Sequence, residues 1–348
     1  MTTEQLFRLT EDAHSSLKKK GITAALFLDA EAAFDQAWHD AIRYKVDKLG
    51  VPNRLVRLIS SFLTERELTV MVGKQTSEKV IMEAGTPQGS CLSPLLYVIL
   101  VNDIPSDGDS VKIGQFADDI ALWVNAHTMA GCLSRLQKAV NTVEGWCRRW
   151  RIKLNGSKSN LLFIHRSREK TSHDLCLQLF NDIIRPTNNA KYLGITYDHK
   201  LKFTDHFDEI EKKATSRLNV FKLLVKNGVE NNTLLRLYKT YVRPLLEYGS
   251  ISYLSTNLQR LQQIQNQFIR LSLCIPRYIR TNLIHEAAGL KSVADRLLEL
   301  NQRLFQKMSK LEGVQETAEQ SRGVIPLNNI KTPLDMLEPL QTPHLTTR

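Results

Sequence analysis

The chain has 348 residues, of which 42% are hydrophobic and 24% are charged. This composition excludes a disordered polymer and is typical of a globular protein with a substantial core. Lys and Arg outnumber Asp and Glu by 47 to 36, so the net charge is +11. The excess favours a polyanion such as nucleic acid as partner, although many basic proteins bind none.

The cysteines and the N-terminus indicate the cellular environment. Five cysteines are spread along the chain without a Cys-x-x-Cys pair, so neither a zinc site nor a disulfide framework is expected. The segment 1–20 lacks the apolar run of a signal peptide, and no stretch of the chain approaches the length of a transmembrane helix. We therefore expect a soluble intracellular protein with reduced thiols and no membrane partner. The sequence distinguishes neither nucleus from cytoplasm nor one oligomeric state from another.

The first 200 residues mix helical and strand patterns. Their apolar spacing predicts helices over 4–20, 37–49 and 53–64 and from Leu95, paired strands over Leu68–Val72 and Glu78–Ala84, and an irregular loop over Gly85–Pro94. It further predicts a strand over Ala24–Leu28, a hairpin with arms Val111–Phe116 and Ile120–Val124, a helix over Met129–Trp150, and strands at Leu161–Ile164 and Tyr192–Tyr197. Because no regular βαβ repeat is present, an α+β fold is favoured.

The later part of the chain is helical in pattern. Apolar residues at helical spacing predict helices over 204–226, 231–247, 258–274 and 292–310. From about Ala318 the chain carries prolines and little periodicity, so we expect a disordered tail.

Acidic residues stand at two strand ends in this pattern. Asp29 follows the apolar run Ala24–Leu28, and Asp118 and Asp119 lie at the predicted hairpin tip. If one sheet brings the three together, their repulsion is relieved by a divalent cation, and oxygen ligands select Mg²⁺ or Mn²⁺. Taken separately, Asp29 is also a plausible cap and Asp-Asp is common in turns.

Five segments resemble motifs of the reverse transcriptases of LINE-type, Jockey-like non-LTR retrotransposons, and they occur in the family's order. FLDAEAAFDQAWHD (27–40) is similar to motif A, GTPQGSCLSPLL (85–96) to motif B, FADDIAL (116–122) to motif C, WCRRWRIKLNGSKSNLLF (146–163) to motif D, and KYLGITYD (191–198) to motif E. YKTYVRPLLEYGS (238–250) and LQQIQNQFIRL (261–271) resemble the thumb of these elements. The resemblance covers about residues 5–310.

The resemblance implies an RNA-directed DNA polymerase that transfers nucleotides from dNTP to a DNA primer on an RNA template, with two Mg²⁺ ions or Mn²⁺ in their place. It assigns the metal site to the carboxylates of Asp29, Asp118 and Asp119 and the backbone carbonyl of Ala30. It assigns Lys158 to the triphosphate, with a solvated turn lysine as the alternative.

The remaining substrate contacts follow from the same resemblance. Phe34 would abut the sugar and exclude a 2′-hydroxyl, or it is a core residue. Gly85, Pro87, Gln88 and Gly89 would lie beside the nascent base pair, and Tyr192, Leu193 and Gly194 would form the turn that positions the primer end. The basic residues Arg148, Arg149, Arg151 and Lys153 would contact phosphates or form a solvated face.

The resemblance also predicts the domain organisation. Residues 1–200 would form the polymerase palm, an antiparallel sheet with packed helices and only residual fingers, because few residues precede motif A. Residues 201–317 would form a helical thumb and C-terminal region, and residues 318–348 a disordered tail. Ala30 and Ala32 depart from the Ile and Lys typical of motif A.

Two other functions stay open at this point. With mostly missing fingers, the chain would also fit a catalytically inactive nucleic-acid-binding remnant of such a polymerase. Paired carboxylates also serve two-metal nucleases, but the segment GTPQGSCLSP and Phe34 have no evident role in a hydrolase.

Overall fold

The computed structural model describes residues 1–105, 110–166, 174–322 and 332–337, and the predicted α+β fold class is confirmed. The strands are β1 Ile22–Asp29, β2 Arg66–Leu68, β3 Met71–Val72, β4 Gln75–Thr76, β5 Val80–Met82, β6 Lys112–Phe116, β7 Asp119–Ala126, β8 Asn160–Ile164, β9 Leu177–Leu179, β10 Asp182–Ile184, β11 Pro186–Thr187, β12 Asn189–Tyr192 and β13 Ile195–Asp198. The helices are α1 Thr2–Lys18, α2 His39–Lys48, α3 Asn53–Leu63, α4 Ser93–Val101, α5 Met129–Trp150, α6 Thr204–Lys226, α7 Asn231–Leu237, α8 Arg243–Glu247, α9 Ser250–Tyr253, α10 Gln259–Ser272, α11 Thr281–Ala288, α12 Val293–Met308, α13 Glu312–Arg322 and α14 Pro333–Leu337.

A five-stranded sheet in the order β11-β8-β1-β7-β6 forms the centre of the molecule. Its middle strand, β1, pairs antiparallel with both β7 and β8. Only the edge strand β11 runs parallel to its neighbour. Six consecutive residues of β1 are buried, because helices cover both faces of the sheet, and this explains the uninterrupted apolar run in the sequence.

The two faces of β1 enter two different hydrophobic clusters. Ala24, Leu26 and Leu28 pack with α5 and with buried residues of α2 and α4. Ala25 and Phe27 point to the other face, since strand side chains alternate. Helix α5 begins after Thr128, whose side chain accepts a hydrogen bond from the Gly131 amide, and it matches the predicted range Met129–Trp150.

Helix α1 lies between the second face of the sheet and the C-terminal helices. It is buried along most of its length, including polar residues. Asp12 accepts hydrogen bonds from the Trp123 indole and from Lys112, each at 2.8 Å. The hydrophobic cluster around α1 is a single cluster, with members that range from Leu6 to Leu337 in the sequence. The ranges predicted as palm and thumb therefore share one core. The domain boundaries stay a prediction.

Several predicted elements differ in detail. The strand expected over Tyr192–Tyr197 is a hairpin, β12 and β13, because Leu193 and Gly194 both have positive φ. The helix expected over 231–247 is interrupted by a π-helical segment at Tyr238–Val242. The acid Asp119, expected in a hairpin loop, is the first residue of β7 and pairs with Phe116.

The predicted disordered tail contains two helical segments among the described residues. Helix α13 extends to Arg322, and α14 buries Leu334 and Leu337. The Leu334 amide donates to Glu11 of α1 at 2.8 Å, a long-range contact that local periodicity does not reveal. The residues 323–331 and 338–348 lie outside the described residues.

The five cysteines are all free, as expected. Across the described ranges, no helix combines the length and the apolarity that crossing a bilayer requires.

Candidate active site

Two of the predicted metal ligands face each other across neighbouring strands. Asp29, the last residue of β1, is paired directly with Asp119, the first residue of β7. Directly opposite residues on antiparallel strands project to the same side, with Cβ atoms about 4.5–5.5 Å apart. The register of the central sheet therefore brings together two acids that are 90 positions apart in the chain, by the difference of their residue numbers.

The third acid, Asp118, lies in the two-residue turn that joins β6 to β7. The first turn residue, Ala117, has φ 55°, a left-handed conformation that costs about 1–2 kcal/mol for a residue with a Cβ. A hairpin this short keeps Asp118 next to Asp119 at the end of the sheet. Strain of this kind is common where a turn positions functional side chains.

Asp119 is affected electrostatically by both of the other acids. Partial burial raises the pKa of Asp119 above its usual value, and the neighbouring charges of Asp118 and Asp29 raise it further. Burial also raises the pKa of Tyr97, with a contribution from Asp118. The negative charges of Asp118 and Asp29 therefore oppose the ionisation of Asp119, which is the condition that a bound cation relieves.

The donors fit a hard divalent cation. All candidate ligands are oxygen atoms, the type that Mg²⁺ prefers. Ala30 forms an isolated β-bridge with Leu154. The hydrogen bonds of this bridge are made by the neighbouring Asp29 carbonyl and Glu31 amide, so the Ala30 carbonyl takes no part in them. In the described part of the chain, no three His, Cys, Asp or Glu side chains already converge as a metal-binding group.

Lys158 lies beside this carboxylate group. Its Nζ is 4.0 Å from Oδ2 of Asp29, and both side chains are largely exposed. A turn from Asn155 to Ser159 holds the backbone, since the Asn155 amide donates to the Asp29 carbonyl at 2.8 Å and Ser159 Oγ donates to the Asn155 carbonyl at 2.8 Å. Asn155 and Ser159 were not singled out from the sequence.

Phe34 is half-buried and packs on the cluster beneath α5. Its ring centroid is 4.9 Å from that of Tyr97, and its carbonyl accepts the Thr86 amide at 2.8 Å. The ring therefore has a packing role, and half-burial leaves part of its surface exposed.

The loop that follows β5 is fastened to the segment after Asp29. Gly85 has φ 90°, and a Cβ there would meet the Asp35 carbonyl oxygen at 2.7 Å. The Gly85 carbonyl lies 2.8 Å from His39 Nε2 and accepts from Arg66 at 2.8 Å. Gln88 donates to the Asp35 carboxylate at 2.9 Å. Sequence reasoning missed these anchoring roles, although Asp35 lies within the motif A segment.

Pro87 and Gly89 belong to the same loop. The Pro87 carbonyl accepts the Ser93 hydroxyl at 2.6 Å at the start of α4. Gly89 has φ 88° and open space around the position of a Cβ. The loop is thus fixed at its ends and open around Gly89.

The β12–β13 hairpin lies on the same face of the sheet as Phe27. The ring of Tyr192 stacks on that of Phe27 with centroids 5.0 Å apart, and the charge of Asp119 contributes to raising the Tyr192 pKa, which burial raises most. The turn residues Leu193 and Gly194 have φ 46° and 79°. Tyr248, between α8 and α9, donates to the Leu193 carbonyl at 2.8 Å, a contact that sequence reasoning missed.

The predicted basic residues in the last turn of α5 and just after it make different contacts. Arg148 pairs with Glu144 at 3.1 Å. Arg151 stacks over Trp38 at 4.2 Å. Arg149 is exposed on the surface of α5.

Comparisons with known proteins identify the family of the chain. The family model for reverse transcriptase (RNA-dependent DNA polymerase) matches residues 2–197, more than half of the chain. The chain belongs to the reverse transcriptase family, and the expectation drawn from its motifs is confirmed.

The relatives include polymerases of insect transposons. The chain is 29% identical over 321 residues to the RNA-directed DNA polymerase from mobile element jockey of Drosophila melanogaster. This alignment covers 88% of this chain and 34% of that protein. It is 29% identical over 322 residues to the probable RNA-directed DNA polymerase from transposon BS of the same species, covering 89% and 35%. The chain thus spans about a third of the length of these relatives. Among solved structures, apo telomerase from Candida tropicalis aligns with a TM-score of 0.41 at 11% identity, over 92% of this chain and 57% of that chain.

Proposed function

We propose that this chain forms the catalytic centre of an RNA-directed DNA polymerase, which transfers a nucleotide from dNTP to the 3′-hydroxyl of a DNA primer on an RNA template. The observation that carries the proposal is the pairing of Asp29 with Asp119, next to Asp118, at one end of the central sheet. Family membership supplies the reaction class.

The carboxylates of Asp29, Asp118 and Asp119, with the Ala30 carbonyl, would hold two Mg²⁺ ions, or Mn²⁺ in their place. When bound, such a pair supplies activation of the attacking hydroxyl and charge stabilisation on the leaving pyrophosphate. The raised pKa of Asp119 supports this role, because a carboxylate destabilised by its neighbours gains most from a cation.

Lys158 would contact the triphosphate. Its ammonium group is 4.0 Å from the Asp29 carboxylate and its side chain is 69% exposed, so an incoming anion can reach it. A cation at this place stabilises the negative charge that develops on the phosphates.

Phe34 and the loop from Pro87 to Gly89 would shape the nucleotide pocket. The contact of Phe34 with Tyr97 limits how far the ring can move away from a sugar. The hydrogen bond between Gln88 and Asp35 holds the loop against the segment that carries Phe34. The turn Tyr192–Gly194 would position the primer end, with Tyr248 fixing the Leu193 carbonyl.

The domain assignment belongs to the same proposal. Residues 1–200 would act as the palm, and residues 201–317 as the thumb. The hydrophobic cluster shared between these ranges supports a rigid connection between catalytic centre and thumb.

Primer extension by the purified chain on an RNA template, with Mg²⁺ or Mn²⁺, tests the proposal. We expect Asp118→Asn and Asp29→Asn each to lower the rate on the order of a hundredfold or more, as for other groups that organise transition-state charge. Asp47→Asn is the matched control, because it neutralises an exposed carboxylate on α2. Equal extension by wild type and Asp118→Asn would remove Asp118 from the mechanism.

The same experiment distinguishes the inactive alternative. If the wild-type chain binds primer-template in a salt-sensitive manner but incorporates no nucleotide with either metal, the chain is a nucleic-acid-binding remnant of a polymerase.

A further inference from the structure

An aromatic groove lies on the face of the molecule formed by α2 and the C-terminal half of α5. It has a volume of about 960 Å³, and its aromatic lining consists of Trp38, Tyr44, Trp146 and Trp150. Three of the four tryptophans of the chain are therefore gathered here. We call this site the tryptophan groove. Its lining does not include Asp29, Asp118 or Asp119, so the groove is distinct from the candidate active site.

Three of the four rings in the tryptophan groove remain partly open to solvent, whereas Trp146 is buried. Tyr44 is 57% exposed, and its ring centroid is 5.8 Å from that of Trp150. Trp38 and Trp150 are half-buried, and cationic groups cover part of them, Arg151 over Trp38 at 4.2 Å and Lys45 over Trp150 at 4.0 Å. A contiguous exposed apolar surface with a polar border is a feature of ligand-binding grooves and interaction sites.

The charge that the groove offers to a ligand is positive. Its acids are engaged, since Asp40 pairs with Arg43 at 2.9 Å and Asp103 pairs with the buried Lys45. Lys48 and Arg149 line the same groove and are exposed. Neither has an ion pair or side-chain hydrogen bond among the residues that the structure describes. A ligand that carries negative charge next to planar apolar groups matches this lining.

A glycine forms part of the groove floor. Gly145 lies within the 22-residue helix α5, and a Cβ at this position would meet nothing within 4 Å. Glycine in a helix interior lowers stability relative to alanine, and no packing constraint in the described structure explains its presence. An uncovered backbone lets a ligand approach the helix closely.

We propose that the tryptophan groove binds single-stranded nucleic acid, with bases stacked on Tyr44 and Trp150 and phosphates at Lys48 and Arg149. Aromatic rings combined with a basic border bind single strands with little sequence preference, because every base has a stacking face. A duplex keeps those faces covered by its own neighbouring bases. The proposal does not depend on polymerase activity, since the groove excludes the catalytic acids.

Titration of the full chain with single-stranded oligouridylate in EDTA, followed by tryptophan fluorescence, tests the proposal. We expect saturable quenching that weakens as salt increases, with weaker binding of a duplex of equal length. Gly145→Leu should reduce affinity at least ~10-fold by filling the groove while leaving the fold at least as stable, because leucine favours helix more than glycine does. Ser134→Leu adds the same side chain at an exposed position of α5 outside the groove and should bind like wild type.

A second variant probes the charge. Arg149→Glu should weaken binding and lower its salt dependence, because one phosphate contact is lost. Equal affinity of wild type and Gly145→Leu would overturn the proposal, as would equal affinity for single strand and duplex. Quenching by an acidic, aromatic peptide but not by oligouridylate or oligothymidylate would also overturn it and would assign the groove to a protein partner.

Discussion

Replacing Gly85 by alanine should destabilise the protein far more than the same change at Gly89, four positions along the same loop. Both glycines have left-handed backbone, with φ of 90° and 88°. They differ in their surroundings, because a Cβ at Gly85 would lie 2.7 Å from the Asp35 carbonyl oxygen, whereas a Cβ at Gly89 would meet nothing within 4 Å.

The expected losses of stability follow from the cost of the left-handed backbone and, at Gly85, from the cost of the steric clash. The left-handed conformation costs alanine about 1–2 kcal/mol at either position. At Gly85 the clash adds about 1–3 kcal/mol, the range for overpacking a close contact. The Gly85 backbone has little freedom to move away, since its amide donates to the Ala37 carbonyl and its carbonyl accepts from Arg66, each at 2.8 Å. We therefore expect a loss of about 2–5 kcal/mol for Gly85→Ala and about 1–2 kcal/mol for Gly89→Ala.

Urea unfolding of the full chain measures both values, with the midpoints compared at unchanged m-value. Gly145→Ala is a further control, because this helical glycine has no positive φ and open space around it. The Gly145→Ala variant should have a free energy of unfolding that is higher by roughly 0.5–1 kcal/mol. Equal losses for Gly85→Ala and Gly89→Ala would refute the close approach of the loop to Asp35.

Three further outcomes are expected. Burial lowers the pKa of His14 to about 4. As the pH falls, the imidazole is therefore protonated in the unfolded state before it is protonated in the folded state. The free energy of unfolding should fall by ~3 kcal/mol between about pH 6.5 and about pH 4. His14→Gln should remove this part of the slope in urea unfolding, and an unchanged slope would contradict the assignment. The raised pKa of Asp119 means that its charge lowers stability at neutral pH, so Asp119→Asn should unfold at higher urea in EDTA at pH 7. That gain should fade as the pH falls through the raised value and is limited by solvent screening; a loss of stability would show that the carboxylates do not repel each other. Tyr248→Phe removes the donor to the Leu193 carbonyl, which should lower the free energy of unfolding by about 0.5–1.5 kcal/mol. In primer extension it should raise the KM for primer-template more than it lowers kcat. Unchanged kinetics would exclude a positioning role for Tyr248.

Local periodicity was sufficient for the long, strongly patterned elements. Helix α5 matches its predicted range Met129–Trp150, and α6 matches 204–226, because their apolar residues repeat at helical spacing over many turns. Short elements were less predictable. The strand expected over Tyr192–Tyr197 became a hairpin at Leu193 and Gly194, since two residues in left-handed conformation outweighed the apolar pattern.

The sequence predicted Asp29 at a strand end, Asp118 in the hairpin turn and the family to which the chain belongs, but it placed Asp119 in the turn instead of at the start of β7. These properties depend on residue types within short segments. The sequence also identified the loop from Gly85 to Gly89 by its composition, but not what the loop contacts.

Tertiary structure alone decided which distant residues meet. The register of β1 against β7 paired Asp29 with Asp119, the course of the loop brought Gly85 against Asp35, and the packing of α2 on α5 gathered the tryptophan groove. Strand register and helix packing result from burying whole apolar faces at once, so they depend on the entire core rather than on the local segments that carry the functional side chains.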